Sequence, residues 1–133
     1  MTSKIVYQND LRTEATHIQS GNSILTDAPT DNKGKGEAFS PTDLVATALA
    51  SCMLTIMGIK ADEMNISIEG TTAETEKIMG SEPRRISQIN IHIFVPLIAD
   101  SKTKKILENS ALTCPVAKSL AKDLVCNVHF SWH

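Results

Sequence analysis

Three cysteines are the residues of this chain best suited to chemistry. Cys52 lies within "SPTDLVATALASCMLTIMGIKAD", Cys114 opens "CPVAKSL", and Cys126 belongs to "VCNVHFSW". A thiolate is a nucleophile that can pass through sulfenic acid to a disulfide, whereas a buried thiol is a small, inert hydrophobe. Cys114 precedes a proline suited to the first position of a helix. It therefore stands at or next to an N-cap, where free backbone N–H groups and the helix dipole favour the thiolate. Cys52 is placed mid-helix, receives no terminal N–H groups, and on local composition is a core residue that burial keeps as a thiol. To act as a nucleophile it needs a cation from outside its helix, most naturally an Arg, itself held by a carboxylate. Cys126 shares a strand face with Val128, Phe130 and Trp132 and reads as a buried, unreactive thiol.

Other site chemistries find little support. No pair of cysteines has the C-x-x-C type of spacing, and the four histidines show no zinc-like interval, so no metal or other cofactor is expected. His17, His92 and His129 fall in alternating strand patterns and read as ordinary strand residues, and His133 is terminal. The "GKG" of the loop "DNKGKGE" lacks the third glycine and the preceding strand of a phosphate-binding fingerprint. With a net charge of −2 and scattered basic residues, there is no nucleic-acid footprint. The N-terminus "MTSKIVYQND" lacks the apolar core of a signal peptide, so the expected location is cytoplasmic. An odd number of cysteines in such a chain argues against a structural disulfide framework and for reduced, redox-active thiols.

The elements that must position these residues follow from periodicity. At 133 residues, 41% hydrophobic and 21% charged, the chain fits one domain, 1–133, with a real core. "KIVYQNDLRTEATHI" reads as two strands about the turn pair Asn9-Asp10, with a third short strand at Ser23–Thr26. The glycines and charges of "DNKGKGE" suggest a mobile loop. Ser40 can cap a helix begun by Pro41, and Asp43 completes a capping-box spacing. From Leu44 to Ile59 apolar or small residues occupy every face, which predicts a helix buried all round, too short and too interrupted by polar residues to span a membrane. Alternation at Ile66 and Ile68, and again at Ile89, Ile91, Ile93 and Val95, predicts strands. A helix capped at Asp100 or Ser101, a short helix from Pro115 and a last strand complete the chain. The order gives an α+β fold with largely antiparallel pairing.

A proline-started helix ending in "LxxxALASCM", followed far downstream by "CPV" opening another helix, resembles the OsmC/Ohr family of osmotically inducible and organic-hydroperoxide-resistance proteins. The element order agrees along most of the chain, and "LRTEATH", "GKGEAFSPTDLVATALASCMLTIMGIKA" and "SEPRRI" are similar to the broad OsmC-like branch. The resemblance implies an α+β, OsmC-like fold: a long buried central helix packed against antiparallel sheets, in an intertwined homodimer with sites at the subunit interface. It implies a cysteine-based peroxidase that reduces organic hydroperoxides or hydrogen peroxide. Cys52 becomes the peroxidatic thiol, Cys114 the resolving thiol, and an external dithiol the reductant. An Arg from the N-terminal region serves the peroxidatic sulfur, and Arg12 is the only Arg before the central helix. The peroxidase subgroups carry a Glu after the helix-starting proline to orient that Arg. Here the position is Thr42, so Asp43, next in sequence, joins Cys52, Cys114 and Arg12 in the expected site, with Glu14 and Glu37 as alternatives. Asp43 alone is equally a helix-capping carboxylate. A second function fits the same fold, binding or sensing without turnover, with Met53 and Met57 lining a lipid-like pocket between subunits.

Overall fold

The N-terminal sheet is built on a tight hairpin. In the computed structural model, which describes residues 1–133, β1 (Ser3–Asn9), β2 (Arg12–His17) and β3 (Ser23–Asp27) form an antiparallel meander in the order β1-β2-β3. The expected turn moves by one residue. Asn9 pairs with Arg12, so the two-residue loop is Asp10-Leu11, both left-handed at φ 51° and 61°. This is the backbone that matches the twist of a two-residue hairpin. Beyond β3 a single 3₁₀ turn (Thr30–Asn32) leads into the glycine loop. That loop is folded back on itself: Gly34 N–H donates to Pro29 O at 2.9 Å and Gly36 N–H to Ala28 O at 3.2 Å. A Cβ at Gly34 would stand 1.7 Å from the Ala28 carbonyl oxygen, so these glycines permit close backbone packing where composition suggested mobility. Contacts divide the chain into two compact units, Met1–Val45 and Ala46–His133.

α1 (Pro41–Glu63) starts where the sequence places it. Ser40 Oγ accepts from Asp43 N–H at 3.1 Å, while Asp43 Oδ2 accepts from Ser40 N–H at 2.9 Å, a reciprocal capping box. Only one face of α1 is buried within the chain: Ala46, Leu49, Ala50, Met53, Met57 and Ala61, at helical spacing. Ile59 on another face is 53% exposed. By length and hydropathy α1 could cross a membrane. Its Leu49, Met53 and Met57 instead fill the core of the second unit, at no more than 1% exposure.

The second unit holds β4 (Thr72–Gly80), β5 (Arg85–Val95), α2 (Ser101–Leu112), α3 (Pro115–Ser119) and β6 (Val125–Trp132). The sheet order is β4-β5-β6, with β4 and β5 antiparallel and β5 and β6 parallel. The parallel pair departs from the antiparallel expectation because two helices, α2 and α3, intervene and supply the crossover that parallel strands require. Ile89, Ile91, Ile93 and Val95 form the buried face of β5, against α1 and against Leu107 and Ala111 of α2. Asp100 caps α2 by accepting from Thr103 N–H at 2.7 Å. Ile66 and Ile68 alternate as in a strand but precede β4. They are half-buried against the core, in a segment set off by left-handed Asn65 and Gly70.

Candidate functional site

Arg12 is the first residue of β2, and the register places Asp27, the last of β3, directly opposite. The guanidinium closes on that carboxylate in a fork, Nε to Oδ1 at 2.7 Å and Nη2 to Oδ2 at 2.8 Å. Nη2 also donates to Glu37 Oε2 at 3.1 Å, and Glu37 N–H donates to Asp27 Oδ2 at 3.1 Å. Asp27 is 1% exposed, while the Glu37 side chain is 64% exposed. The hydrogen bonds from Arg12 hold the Asp27 carboxyl below its ordinary range despite burial, and those to Asp27 and then Glu37 raise Arg12 further above its own.

Of the three carboxylates expected to steady Arg12, Glu37 reaches it. Glu14 instead accepts from Gln8 Nε2 at 2.8 Å, and Asp43 accepts from Ser40 N–H. The closest partner, Asp27, is a residue the sequence reading missed. "LTDAP" reads as a strand end running into a turn. The signal was the antiparallel register: counting back from the 17–23 turn sets Asp27 against Arg12.

The second unit holds the thiols. Cys114 is the N-cap of α3, its Sγ accepting from Ala117 N–H at 3.4 Å, as the Cys-Pro pair suggests. The consequence is reversed, because Cys114 is 0% exposed. Burial pushes its thiol up, outweighing the Ala117 N–H, and the neighbouring Cys52 raises it further. Cys52 is half-buried, both cysteines are free, and Cys52 packs against the core cluster that contains Cys114. The arrangement is an accessible thiol backed by a sequestered one.

Cys126 is exposed rather than buried. It does lie on the core side of the sheet, in register with Ile89, but at the start of β6. Val128, Phe130 and Trp132 further along are the residues that reach the core. Met53 and Met57 are core residues within the chain, at 1% and 0% exposure. The outer face of the same sheet carries an open groove with His92 and His129, rings 4.9 Å apart, and Asn90 between Gln88, Glu76 and Asn127. His17 bonds Ser20 Oγ at 2.6 Å. No group of three or more Cys, His, Asp or Glu is arranged to hold a metal ion.

Residues 34–129, which include the capped helix and all three cysteines, match the sequence model of the family described as OsmC-like protein. The chain belongs to the OsmC-like family. A structure from Psychrobacter arcticus, of a candidate osmotic stress induced and detoxification response protein, is 60% identical. It has a TM-score of 0.96 and covers 98% of this chain and 96% of its own. Two more distant structures share the fold. An OsmC-like protein from Mycoplasma pneumoniae has 19% identity and TM-score 0.81, over 98% of this chain and 94% of that one. An organic hydroperoxide resistance protein from Legionella pneumophila has 16% identity and TM-score 0.74, over 98% and 93%. No curated protein matches this OsmC-like chain in sequence.

Proposed function

We propose that this OsmC-like protein is a thiol-dependent peroxidase acting on organic hydroperoxides or hydrogen peroxide. The observation that carries this reading is the pair of free thiols, Cys52 half-buried and packed against the core cluster that contains the fully buried Cys114. The Cys52 thiolate attacks the distal peroxide oxygen. The O–O bond breaks, and the departing alkoxide takes a proton and leaves as alcohol (water, from hydrogen peroxide). Cys52 becomes a sulfenic acid. The Cys114 sulfur then attacks the Cys52 sulfur, the disulfide forms and water leaves. An external dithiol returns two electrons and restores both thiols. Arg12 supplies the positive charge that favours the Cys52 thiolate, a role carried over from the family.

The working form is a homodimer in the cytoplasm. In the first unit Ile5, Val6, Tyr7, Ile24 and Leu25 are exposed; in the second, Ile59 and Ile78 are. Apolar surface of this extent is what a second copy would cover. Free-thiol titration before and after one equivalent of cumene hydroperoxide tests the chemistry. Loss of two thiols per chain, mapped to Cys52 and Cys114, is expected. Both remaining reduced, or Cys52→Ser consuming peroxide as fast as the parent, would sink it.

A further inference from the structure

The two carboxylates on Arg12 hold it in unequal ways. Asp27 takes Nε and Nη2 together, is almost fully buried, and accepts a third bond from Glu37 N–H. Turning it away would strand a buried charge. Glu37 makes one contact, to Nη2, from a side chain mostly in water. Nη1 takes part in neither contact. Charge is unequal as well: one guanidinium faces two carboxylates, so the three groups together are net negative. While Glu37 stays on Nη2, the positive field available to an anion beyond the clamp is largely cancelled. With Glu37 displaced, Arg12 and Asp27 form a neutral pair with Nη1 and one Nη2 hydrogen unengaged.

We propose that Asp27 is the positioning residue that fixes Arg12 for reaction with peroxide, and that Glu37 is a displaceable counter-ion that restrains it. This rests on the reading of Cys52 as the peroxidatic thiol with Arg12 serving it. Asp27, at the end of a strand, would take over for Arg12 the holding role that the family resemblance assigns to a Glu at the position of Thr42. The roles of the two acids are opposite in sign, which a purely structural clamp would not produce.

The test compares kcat/KM for cumene hydroperoxide, with melting temperature alongside, in the parent, Asp27→Asn, Asp27→Glu, Glu37→Gln and Cys52→Ser. Asp27→Asn is expected to be slower by about tenfold or more, as for a misplaced catalytic partner. Asp27→Glu recovers part of that loss, and Glu37→Gln is faster by about two- to fivefold, the scale of one exposed charge. A folded Asp27→Asn as fast as the parent overturns the positioning role. A Glu37→Gln that is slower or unchanged overturns the restraint. If Asp27→Asn does not fold, Asp27→Glu and the sign of the Glu37→Gln effect decide. Cys52→Ser separates the levels: if it is inactive while the other variants match the parent, only this inference falls. If it is as active as the parent, the peroxidase reading falls and takes the inference with it.

Discussion

Arg12 and Asp27 are register partners across β2 and β3, and the arginine fork closes on the buried carboxylate at 2.7 and 2.8 Å. Because Arg12 lowers the folded-state pKa of Asp27, the pair contributes stability above the unfolded carboxyl pKa of about 3.9. That contribution is lost as pH falls through the still lower folded value. Urea unfolding of the parent and Asp27→Asn should therefore differ most near neutrality, and the gap should close below about pH 4. A gap that persists unchanged into acid would mean that the charge on Asp27 is not what stabilises the sheet.

The thiols should react in the order of their exposure. Iodoacetamide should alkylate the exposed Cys126 and the half-buried Cys52 of the native, reduced protein well before the fully buried Cys114. Peptide mass spectrometry over time gives the order directly. Cys114 also carries a pH signature. Its folded pKa is raised, chiefly by burial, so its contribution to stability is complete below the unfolded thiol pKa of about 8.5. That contribution declines as pH rises through the folded value. The reduced parent should lose stability above that pH more steeply than Cys114→Ser, and equal slopes would remove Cys114 as the source.

Much of this fold is written locally, and the parts that are not share a cause. Ser40, Pro41 and Asp43 mark the start of α1 by chemistry confined to one turn, and the alternation from Ile89 to Val95 marks β5. Neither shows that β6 returns parallel to β5, since strand direction depends on the path of α2 and α3 between them. Ile66 and Ile68 have strand periodicity but pack against the core without pairing. The exposure of Cys126 depends on where core coverage stops, which alternation along one strand does not encode. The three cysteines and Arg12 were legible as residue types. Asp27 was not, because its role depends on a partner in another strand.

The capping box at Ser40 isolates a local term. Ser40 is 1% exposed, and its hydroxyl accepts the Asp43 N–H at 3.1 Å. Ser40→Ala leaves that helix-terminal donor without its acceptor and should cost about 1 kcal/mol of unfolding free energy, with Ser40→Thr recovering most of it. Chemical denaturation at neutral pH measures both. No loss in Ser40→Ala would show that the first turn is held by other contacts.

The outward face of α1 offers a test of assembly that leaves the chain's own core untouched. Ile59 is 53% exposed, while Met57, two residues earlier on the buried face, is 0% exposed. A charge at Ile59 therefore meets water in an isolated chain, where surface substitutions change stability little. In a dimer that covers this face it becomes a buried, unpaired carboxylate. If the proposed homodimer forms through this face, Ile59→Glu should shift the protein toward monomer in sedimentation or light scattering at micromolar concentration. Its melting temperature should depend on concentration more steeply than the parent's across the range where dissociation begins. Met57→Glu, by contrast, should unfold the chain at any concentration, because it places the same charge in the core. If Ile59→Glu behaves as the parent does at every concentration, this face of α1 is not a contact between copies.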